Sequence, residues 1–343
     1  MLVEPLMEFI LTPDNPSPAG GVVASIRAID GMTLRVGRWH PPGMARGTVL
    51  ICTGRAEFIE KYFEVAGELL ARQLAVVIFD WRGQGLSGRE LDNSRKGHID
   101  DFSLYGRDLD AIREQVLAPF CPAPWFSLGH SMGGAVLIEQ ARNGVSPFER
   151  LVVTAPMIDI YGLRFPRFTR GLAKVLDFIG MGDAFIPGGG STAVLTRPFK
   201  DNVLTSDPVR YARNAAVVGM ASHVAIGDPT IGWIDAAFEL MGKFADPEYP
   251  RRTLTPILVI SAGDDRVVSS AAVEHFGSRL KAGRVVSLPH ARHEILMERD
   301  SIREQFWAAF DAFIPGTREE YDALVMAQDM IEQVRGPVHL DEL

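Results

Sequence analysis

A single serine between two glycines, placed where an apolar strand meets a helix, constrains this chain more than any other feature. Residues 129–133 read Gly-His-Ser-Met-Gly and follow the short apolar run 125–128. The helix-forming stretch 134–141 comes next and stops at Gly144. An exposed nucleophile on a sharp strand-to-helix turn needs strained backbone, and flanking side chains would clash with the strand and the helix. The pattern therefore predicts that Ser131 is a catalytic nucleophile.

The base and the orienting acid for such a serine are expected later in the chain, the acid first and then a histidine. The apolar run 256–261 predicts a strand, and Asp265 follows its end, where catalytic groups sit in open α/β sheets. A second run at 285–288 predicts another strand, followed by a loop that carries His293. We therefore expect His293 to be the base and Asp265 the acid. Asp264 and Asp159 are alternative acids, and His290 is an alternative base.

Two backbone N–H donors should hold the negative oxygen that forms when a serine attacks an acyl group. One donor is expected from the residue after the nucleophile, here Met132, and the other from a loop after an earlier strand. Residues 48–52 predict that strand, and residues 53–57 form the loop that follows it. We expect the second donor to be the N–H of Arg55.

Apolar strands and amphipathic helices alternate along most of the chain, which predicts an α/β fold with a mostly parallel central sheet and helices on both faces. An antiparallel hairpin is expected at the start of the sheet. The alternation breaks near Pro156 and resumes at Leu254, which indicates an inserted, mainly helical cap. The expected divisions are a first core part at 1–156, the cap at 157–250, a second core part at 251–315 and an acidic, helical C-terminal tail at 316–343.

One predicted cap helix carries an apolar face and a basic face. The apolar face begins with Phe165 and Phe168 and continues through Leu172, Val175, Leu176 and Ile179, whereas Arg167, Arg170 and Lys174 lie on the other. One interpretation is a lid that meets single-chain lipid or an anionic membrane surface, because basic amphipathic helices bind there. The other is a helix packed on the core with solvated charges. Under the first interpretation, Phe165 and Phe168 contact the substrate.

Several motifs together resemble those of the bacterial lysophospholipases, within the monoacylglycerol-lipase-like branch of the serine α/β-hydrolases. The matching stretches lie at 52–57, 61–62, 80–89, 97–109, 130–135, 154–157, 202–211, 227–233 and 293–296. The glycine-flanked serine turn at 129–133 and the Asp-x-Arg-Gly-x-Gly loop are shared by many α/β-hydrolases, whereas the motif at 53–57 occurs in a narrower group of them. Thr53-Gly54 stands where the wider branch usually carries His-Gly, which favours the lysophospholipase subgroup over the monoglyceride lipases.

The resemblance implies an α/β-hydrolase fold and a serine carboxylic ester hydrolase that removes the acyl chain from lysophospholipids or related monoacyl glycerolipids through an acyl-enzyme. It implies no cofactor and no metal. Monoacylglycerol lipase or general carboxylesterase activity is the nearest alternative, followed by acyl transfer and by a non-catalytic, ligand-binding shell. The Arg55 side chain would start beside the scissile ester, where it either contacts a glycerol phosphate or forms an internal ion pair with Glu57.

The net charge and the hydropathy of the sequence limit which partners the protein can bind and where in the cell it is expected. The 343 residues carry 35 Lys and Arg against 43 Asp and Glu, a formal net charge of −8, which argues against a nucleic-acid partner. No run approaches the ~18 apolar residues of a membrane span, and the first residues do not resemble a signal peptide. We expect a cytoplasmic protein, peripheral to the inner membrane where its cap touches lipid. Asp80, Arg82, His98 and Glu57 are interpreted as residues that organise loops.

Overall fold

Eight strands form one continuous sheet in the computed structural model, which describes residues 8–315. The strands are β1 (Val22–Arg27), β2 (Thr33–Trp39), β3 (Thr48–Cys52), β4 (Ala75–Phe79), β5 (Trp125–His130), β6 (Arg150–Thr154), β7 (Ile257–Ala262) and β8 (Gly283–Leu288). Their order is β1-β2-β4-β3-β5-β6-β7-β8. The pairs β1–β2 and β2–β4 are antiparallel, and the other pairs are parallel. This topology confirms the predicted α/β fold and its opening hairpin.

Helices cover both faces of this sheet. They are α1 (Phe63–Ala71), α2 (Ser103–Ile112), α3 (Ala118–Phe120), α4 (Met132–Arg142), α5 (Pro166–Leu176), α6 (Pro208–Met220), α7 (Ile231–Phe244), α8 (Glu248–Arg251), α9 (Ser270–Gly277) and α10 (Asp300–Phe313). The strands β3, β4 and β7 are buried at every residue, so both of their faces are packed. That burial explains why they are continuous apolar runs in the sequence. Between residues 8 and 315, no helix has both the length and the hydrophobicity needed to span a bilayer.

The register of the parallel strands brings several loops to one edge of the sheet. Cys52 at the end of β3 lies opposite Gly129 in β5, and Ala262 at the end of β7 lies opposite Leu288 at the end of β8. Parallel strands have their carboxyl ends at the same edge, so the loops after β3, β5, β7 and β8 meet there. Ligands and catalytic groups occupy this position in open α/β sheets.

The chain between β6 and β7 contains α5 to α8 and adds no strand to the sheet. Helices α7 and α8 pack into the main hydrophobic core, whereas much of 193–225 forms a separate small cluster. The sheet topology explains why α7 and α8 belong to the core, because the parallel strands β6 and β7 need a crossover connection between them. We therefore use the name cap for residues 157–230, which end earlier than the predicted boundary at 250. Arg210 and Arg213 of α6 tie the cap to Glu64 of α1, each at 2.6 Å.

Most of the apolar face of α5 is exposed. Phe165 and Phe168 are 61% and 69% exposed, and Phe178 just beyond the helix is 91% exposed. Leu172, Val175 and Ile179 extend the same surface, which we call the exposed cap face. Helix α5 packs on α7 and fully buries only Ala173. The tail at 316–343, expected to be helical, lies outside the described residues.

Candidate active site

The turn between β5 and α4 has the strained backbone that its sequence predicts. Ser131 has φ 49° and ψ −113°, a left-handed conformation that residues with a Cβ rarely adopt. A Cβ on Gly133 would stand 2.2 Å from the Cys52 carbonyl oxygen, and one on Gly129 would stand 2.6 Å from a methyl carbon of Leu137. The two glycines therefore let α4 pass close to β3 and β5 and present the serine at the sheet edge.

The Ser131 hydroxyl begins a chain of hydrogen bonds. His293 Nε2 lies 3.0 Å from Ser131 Oγ, and His293 Nδ1 lies 2.8 Å from Asp265 Oδ2. The other carboxylate oxygen accepts the N–H groups of Val267 and Val268 at 2.7 and 3.0 Å. Burial acts to raise the pKa of Asp265, but the hydrogen bonds from His293 and the two amides lower it, so the carboxylate is ionised at neutral pH. The Nδ1–H therefore points to the carboxylate, and the Nε2 lone pair faces the serine.

The alternative acids and base lie away from this chain of hydrogen bonds. Asp264 is exposed, and its N–H donates to the Ala291 carbonyl. Asp159 forms an ion pair with Arg170 of α5 at 3.1 Å, and His290 is exposed on its loop. The geometry therefore brings together Ser131, His293 and Asp265, the three residues predicted from the sequence.

Two backbone N–H groups beside the serine have no hydrogen-bond acceptor in the described part of the chain. One belongs to Met132, the first residue of α4, and the other to Arg55, in the loop after β3. A helix leaves its first N–H groups without intrahelical partners, which accounts for Met132. Both residues line the same cavity as Ser131, so they are the candidate donors to an oxyanion.

No carboxylate among residues 8–315 lies within ion-pair distance of the Arg55 guanidinium. Its Nη2 donates to the Gly227 carbonyl at 3.0 Å, and its central carbon lies 5.1 Å from the centre of the Trp233 ring. Its Nε is buried without a hydrogen bond. Burial lowers the pKa of Arg55 to about 10, so the side chain is charged at neutral pH. The alternative of an internal ion pair with Glu57 is therefore not what the structure shows.

Glu57 belongs instead to a buried bridge of charges with Lys61 and Glu294. Lys61 Nζ lies 2.7 Å from Glu57 Oε1 and 2.6 Å from Glu294 Oε1, and the Tyr62 hydroxyl donates to Glu57 at 2.7 Å. Burial acts to raise the pKa of Glu57, but the Lys61 ammonium brings it down to about 2, whereas burial raises the pKa of Glu294. The bridge joins the Arg55 loop to the loop of His293. Sequence reasoning missed it because the partners lie at opposite ends of the chain.

A cavity of about 250 Å³ beside Ser131 is lined by residues of both the core and the cap. Its charged lining includes Arg55 and the bridge formed by Glu57, Lys61 and Glu294. Its apolar lining includes Met157, Ile160, Trp233, Ile234, Val267 and Val268. Phe165 and Phe168, expected to contact the substrate, do not line it, because their face of α5 points outward. Within 8–315, no cluster of His, Cys, Asp and Glu is arranged to hold a metal ion.

Comparisons with known proteins agree with this fold. The Hydrolase_4 family model, described as serine aminopeptidase, S33, matches residues 43–300. Lysophospholipase L2 of Escherichia coli (strain K12) is 32% identical over 300 residues, which cover 82% of this chain and 83% of that protein. A monoacylglycerol lipase of Mycolicibacterium smegmatis is 24% identical over 282 residues, covering 80% and 90%. The structure of a thermostable carboxyl esterase from Bacillus coagulans shares the fold, with a TM-score of 0.70 at 19% identity over 88% of this chain and 99% of that one.

Substitution of the candidate acid should distinguish it from its neighbour. We expect Asp265→Asn to lower kcat on p-nitrophenyl butyrate by about 10⁴-fold, because an amide favours the wrong tautomer of His293. Asp264→Asn changes an exposed group and should leave kcat within about threefold of the wild-type value. Ser131→Ala should remove measurable ester hydrolysis. A larger loss for Asp264→Asn than for Asp265→Asn would assign the acid to the neighbouring residue.

Loss of the cation in the charged bridge should destabilise the protein in a pH-dependent way. Lys61→Met leaves two buried carboxyls without their cation and should lower the free energy of unfolding by about 3–5 kcal/mol at pH 8. In the variant, burial raises the pKa values of these carboxyls on folding, so the folded state gains stability as the pH falls, and the deficit should shrink at pH 5. The wild-type pKa of about 2 for Glu57 keeps its contribution constant over this range.

Urea unfolding at the two pH values measures this effect. Lys281→Met, at an exposed lysine, is the matched control and should change stability at neither pH. A deficit of the same size at pH 5 and pH 8 would show that Lys61 acts by packing rather than by its charge.

Proposed function

This chain belongs to the Hydrolase_4 family of α/β-hydrolases, and on that premise we propose that it is a serine carboxylic ester hydrolase that removes the acyl chain of lysophospholipids. One observation carries the choice of substrate. The half-buried Arg55 guanidinium lines the cavity beside Ser131, and no carboxylate between residues 8 and 315 lies within ion-pair distance of it, although Asp228 lines the same cavity. A phosphate group of the substrate would compensate this charge, whereas a neutral monoacylglycerol offers no such group.

The candidate triad supports acyl transfer in two steps. Ser131 Oγ attacks the ester carbonyl while His293 Nε2 takes the hydroxyl proton, and Asp265 stabilises the imidazolium that forms. The N–H groups of Arg55 and Met132 stabilise the oxyanion of the tetrahedral intermediate. His293 then gives its proton to the departing glycerol oxygen, which leaves an acyl-enzyme. Water, activated in the same way, releases the fatty acid.

In this proposal, Arg55 contacts the reacting carbonyl through its backbone N–H and the headgroup through its side chain. Its backbone is a candidate oxyanion donor, and its side chain extends to the Gly227 carbonyl and the Trp233 ring. A guanidinium presents paired donors that match phosphate oxygens. A glycerol phosphate attached to the scissile ester lies only a few bonds from the reacting carbon, within the length of this side chain.

Monoacylglycerol hydrolysis is the second candidate, because a monoacylglycerol lipase is among the relatives that span 80% of this chain. It would use the same triad and oxyanion donors, and it would leave the charge of Arg55 without a role. Acyl transfer to an alcohol and ligand binding without turnover are less favoured alternatives. Release of free fatty acid separates hydrolysis from both.

The exposed cap face supports contact with a lipid surface as a further part of the proposal. Phe168 and Phe178 protrude from it, and the basic residues Arg167 and Lys174 lie on the same helix. Amphipathic helices of this composition insert their apolar side chains at the boundary of anionic bilayers. In this proposal, the cap is a lid over the cavity. The protein is cytoplasmic, and its exposed cap face binds the inner membrane.

Removal of the Arg55 charge should discriminate between the two candidate substrates. Arg55→Gln keeps the backbone N–H, and kcat/KM for lysophosphatidylethanolamine should fall roughly 10- to 100-fold, which matches a lost charge-assisted hydrogen bond of about 1.5–3 kcal/mol. The value for a monoacylglycerol with the same acyl chain should change less than about threefold. Arg55→Lys keeps the charge and should recover part of the loss. Equal losses on both substrates would contradict phosphate recognition.

Negative charge on the exposed cap face should weaken membrane binding without affecting the chemistry. We expect the double variant Phe168→Asp/Phe178→Asp to bind phosphatidylglycerol vesicles about tenfold or more weakly in co-sedimentation, because each inserted aromatic contributes about 1.5–3 kcal/mol. Turnover of monomeric p-nitrophenyl butyrate should stay within about twofold, because neither residue lines the cavity. Leu254→Asp, at a residue also 69% exposed, is the matched control. Unchanged vesicle binding by the double variant would exclude this face as the membrane contact.

A further inference from the structure

The loop that carries Arg55 is held on both sides of that residue. The Gly54 N–H donates to the Glu57 carboxylate, and the Ala56 N–H donates to the carboxamide oxygen of Gln84. The outer two of three consecutive amides are therefore bonded to side chains. The middle amide, that of Arg55, is left without an acceptor in the part of the chain that the structure describes. The two acceptors thus determine which amide is free to bind an oxyanion.

Gln84 also contacts the residue that supplies the other candidate donor. Its Nε2 lies 3.7 Å from the Met132 sulfur, a distance that fits an N–H···S hydrogen bond. The carboxamide orientation follows from the Ala56 N–H, which only the oxygen can accept. Gln84 is 1% exposed, and backbone hydrogen bonds with Trp81 and Ser87 fix it in the turn after β4. One buried side chain therefore joins both segments of the candidate oxyanion hole.

The backbone at Ala56 explains why this loop needs an external constraint. Ala56 has φ 64°, in the left-handed region that is unfavourable for a residue with a Cβ. Residues in such conformations persist where the surrounding structure fixes them. The hydrogen bond to Gln84 acts directly on the strained residue, next to the free amide of Arg55.

We propose that Gln84 is a positioning residue of the oxyanion hole, which fixes the Arg55 loop relative to Met132 so that both N–H groups address one oxygen. The inference rests on the acyl-transfer chemistry of the proposed function and is independent of the headgroup. Charge develops on that oxygen in the tetrahedral transition state, and the bound ester carries much less. Loss of Gln84 should therefore lower kcat and leave KM nearly unchanged.

Gln84→Met tests this role, because it removes the carboxamide with little change of shape. We expect kcat on p-nitrophenyl butyrate to fall about 10- to 100-fold with KM within about twofold, a smaller loss than deletion of an oxyanion donor causes. The inhibition constant of an alkyl trifluoromethyl ketone, which forms a tetrahedral adduct with the serine, should rise by the same factor. Affinity for a non-hydrolysable ether analogue should stay within about twofold. Gln140→Met, the same change on α4 away from the cavity, should leave all three quantities unchanged.

Gln84→Glu keeps the test decisive if the first variant does not fold. Its carboxylate still accepts the Ala56 N–H, but it cannot donate to the Met132 sulfur, and it places negative charge beside the oxyanion. The same selective weakening of ketone binding is expected. Equal weakening of ketone and ether binding, or an unchanged kcat in both variants, would overturn the proposal.

A labelling experiment distinguishes a failure of the Gln84 proposal from a failure of the proposed function. A fluorophosphonate should modify Ser131 in the wild-type protein and not in Ser131→Ala. A wild-type protein that is neither labelled nor active on any ester would refute the proposed function. A labelled, active wild-type protein whose Gln84 variants show no selective loss of ketone binding would refute the role of Gln84 alone.

Discussion

The backbone turn at Ser131 is the constraint on which the rest of the site depends. Because the serine takes a positive φ, β5 ends and α4 begins on either side of one residue, and Met132 starts the helix with a free N–H. The absence of a side chain at Gly133 lets α4 approach the Cys52 carbonyl, which brings the loop after β3 beside the nucleophile. The strained backbone of Ser131 and the close packing at Gly133 thus bring together two N–H donors, one after β5 and one after β3.

Charge compensation differs sharply between neighbouring residues of the cavity. Lys61 compensates Glu57 and Glu294 within hydrogen-bond distance, whereas Arg55 has a carbonyl and an aromatic ring as its partners. Removal of Lys61 would leave two buried carboxyls without their cation, which is costly, whereas the Arg55 guanidinium has no carboxylate within ion-pair distance between residues 8 and 315. If Arg55 recognises the headgroup as proposed, the short loop after β3 combines a structural role with a role in recognition.

The sheet and the order of Ser131, Asp265 and His293 could be predicted because each depends on local sequence, such as apolar runs, a glycine-flanked turn and polar residues after strand ends. Contacts between distant segments could not. Gln84 lies 28 residues from Ala56 and 48 from Met132, and nothing in their local sequence indicates that they meet. The cap helix shows a further limit, because periodicity predicts an apolar face but not whether a neighbour covers it.

The cap is joined to the core at two points that lie close to the catalytic cavity. It begins just after β6 and ends where α7 begins, and residues near both ends, Met157 and Trp233, line the same cavity. The crossover to β7 is made by α7 and α8, which belong to the core. An insert of different length or sequence can therefore join the same two points without altering the sheet register or the turn at Ser131. Changes in the cap would thus leave the arrangement of Ser131, Asp265 and His293 in place.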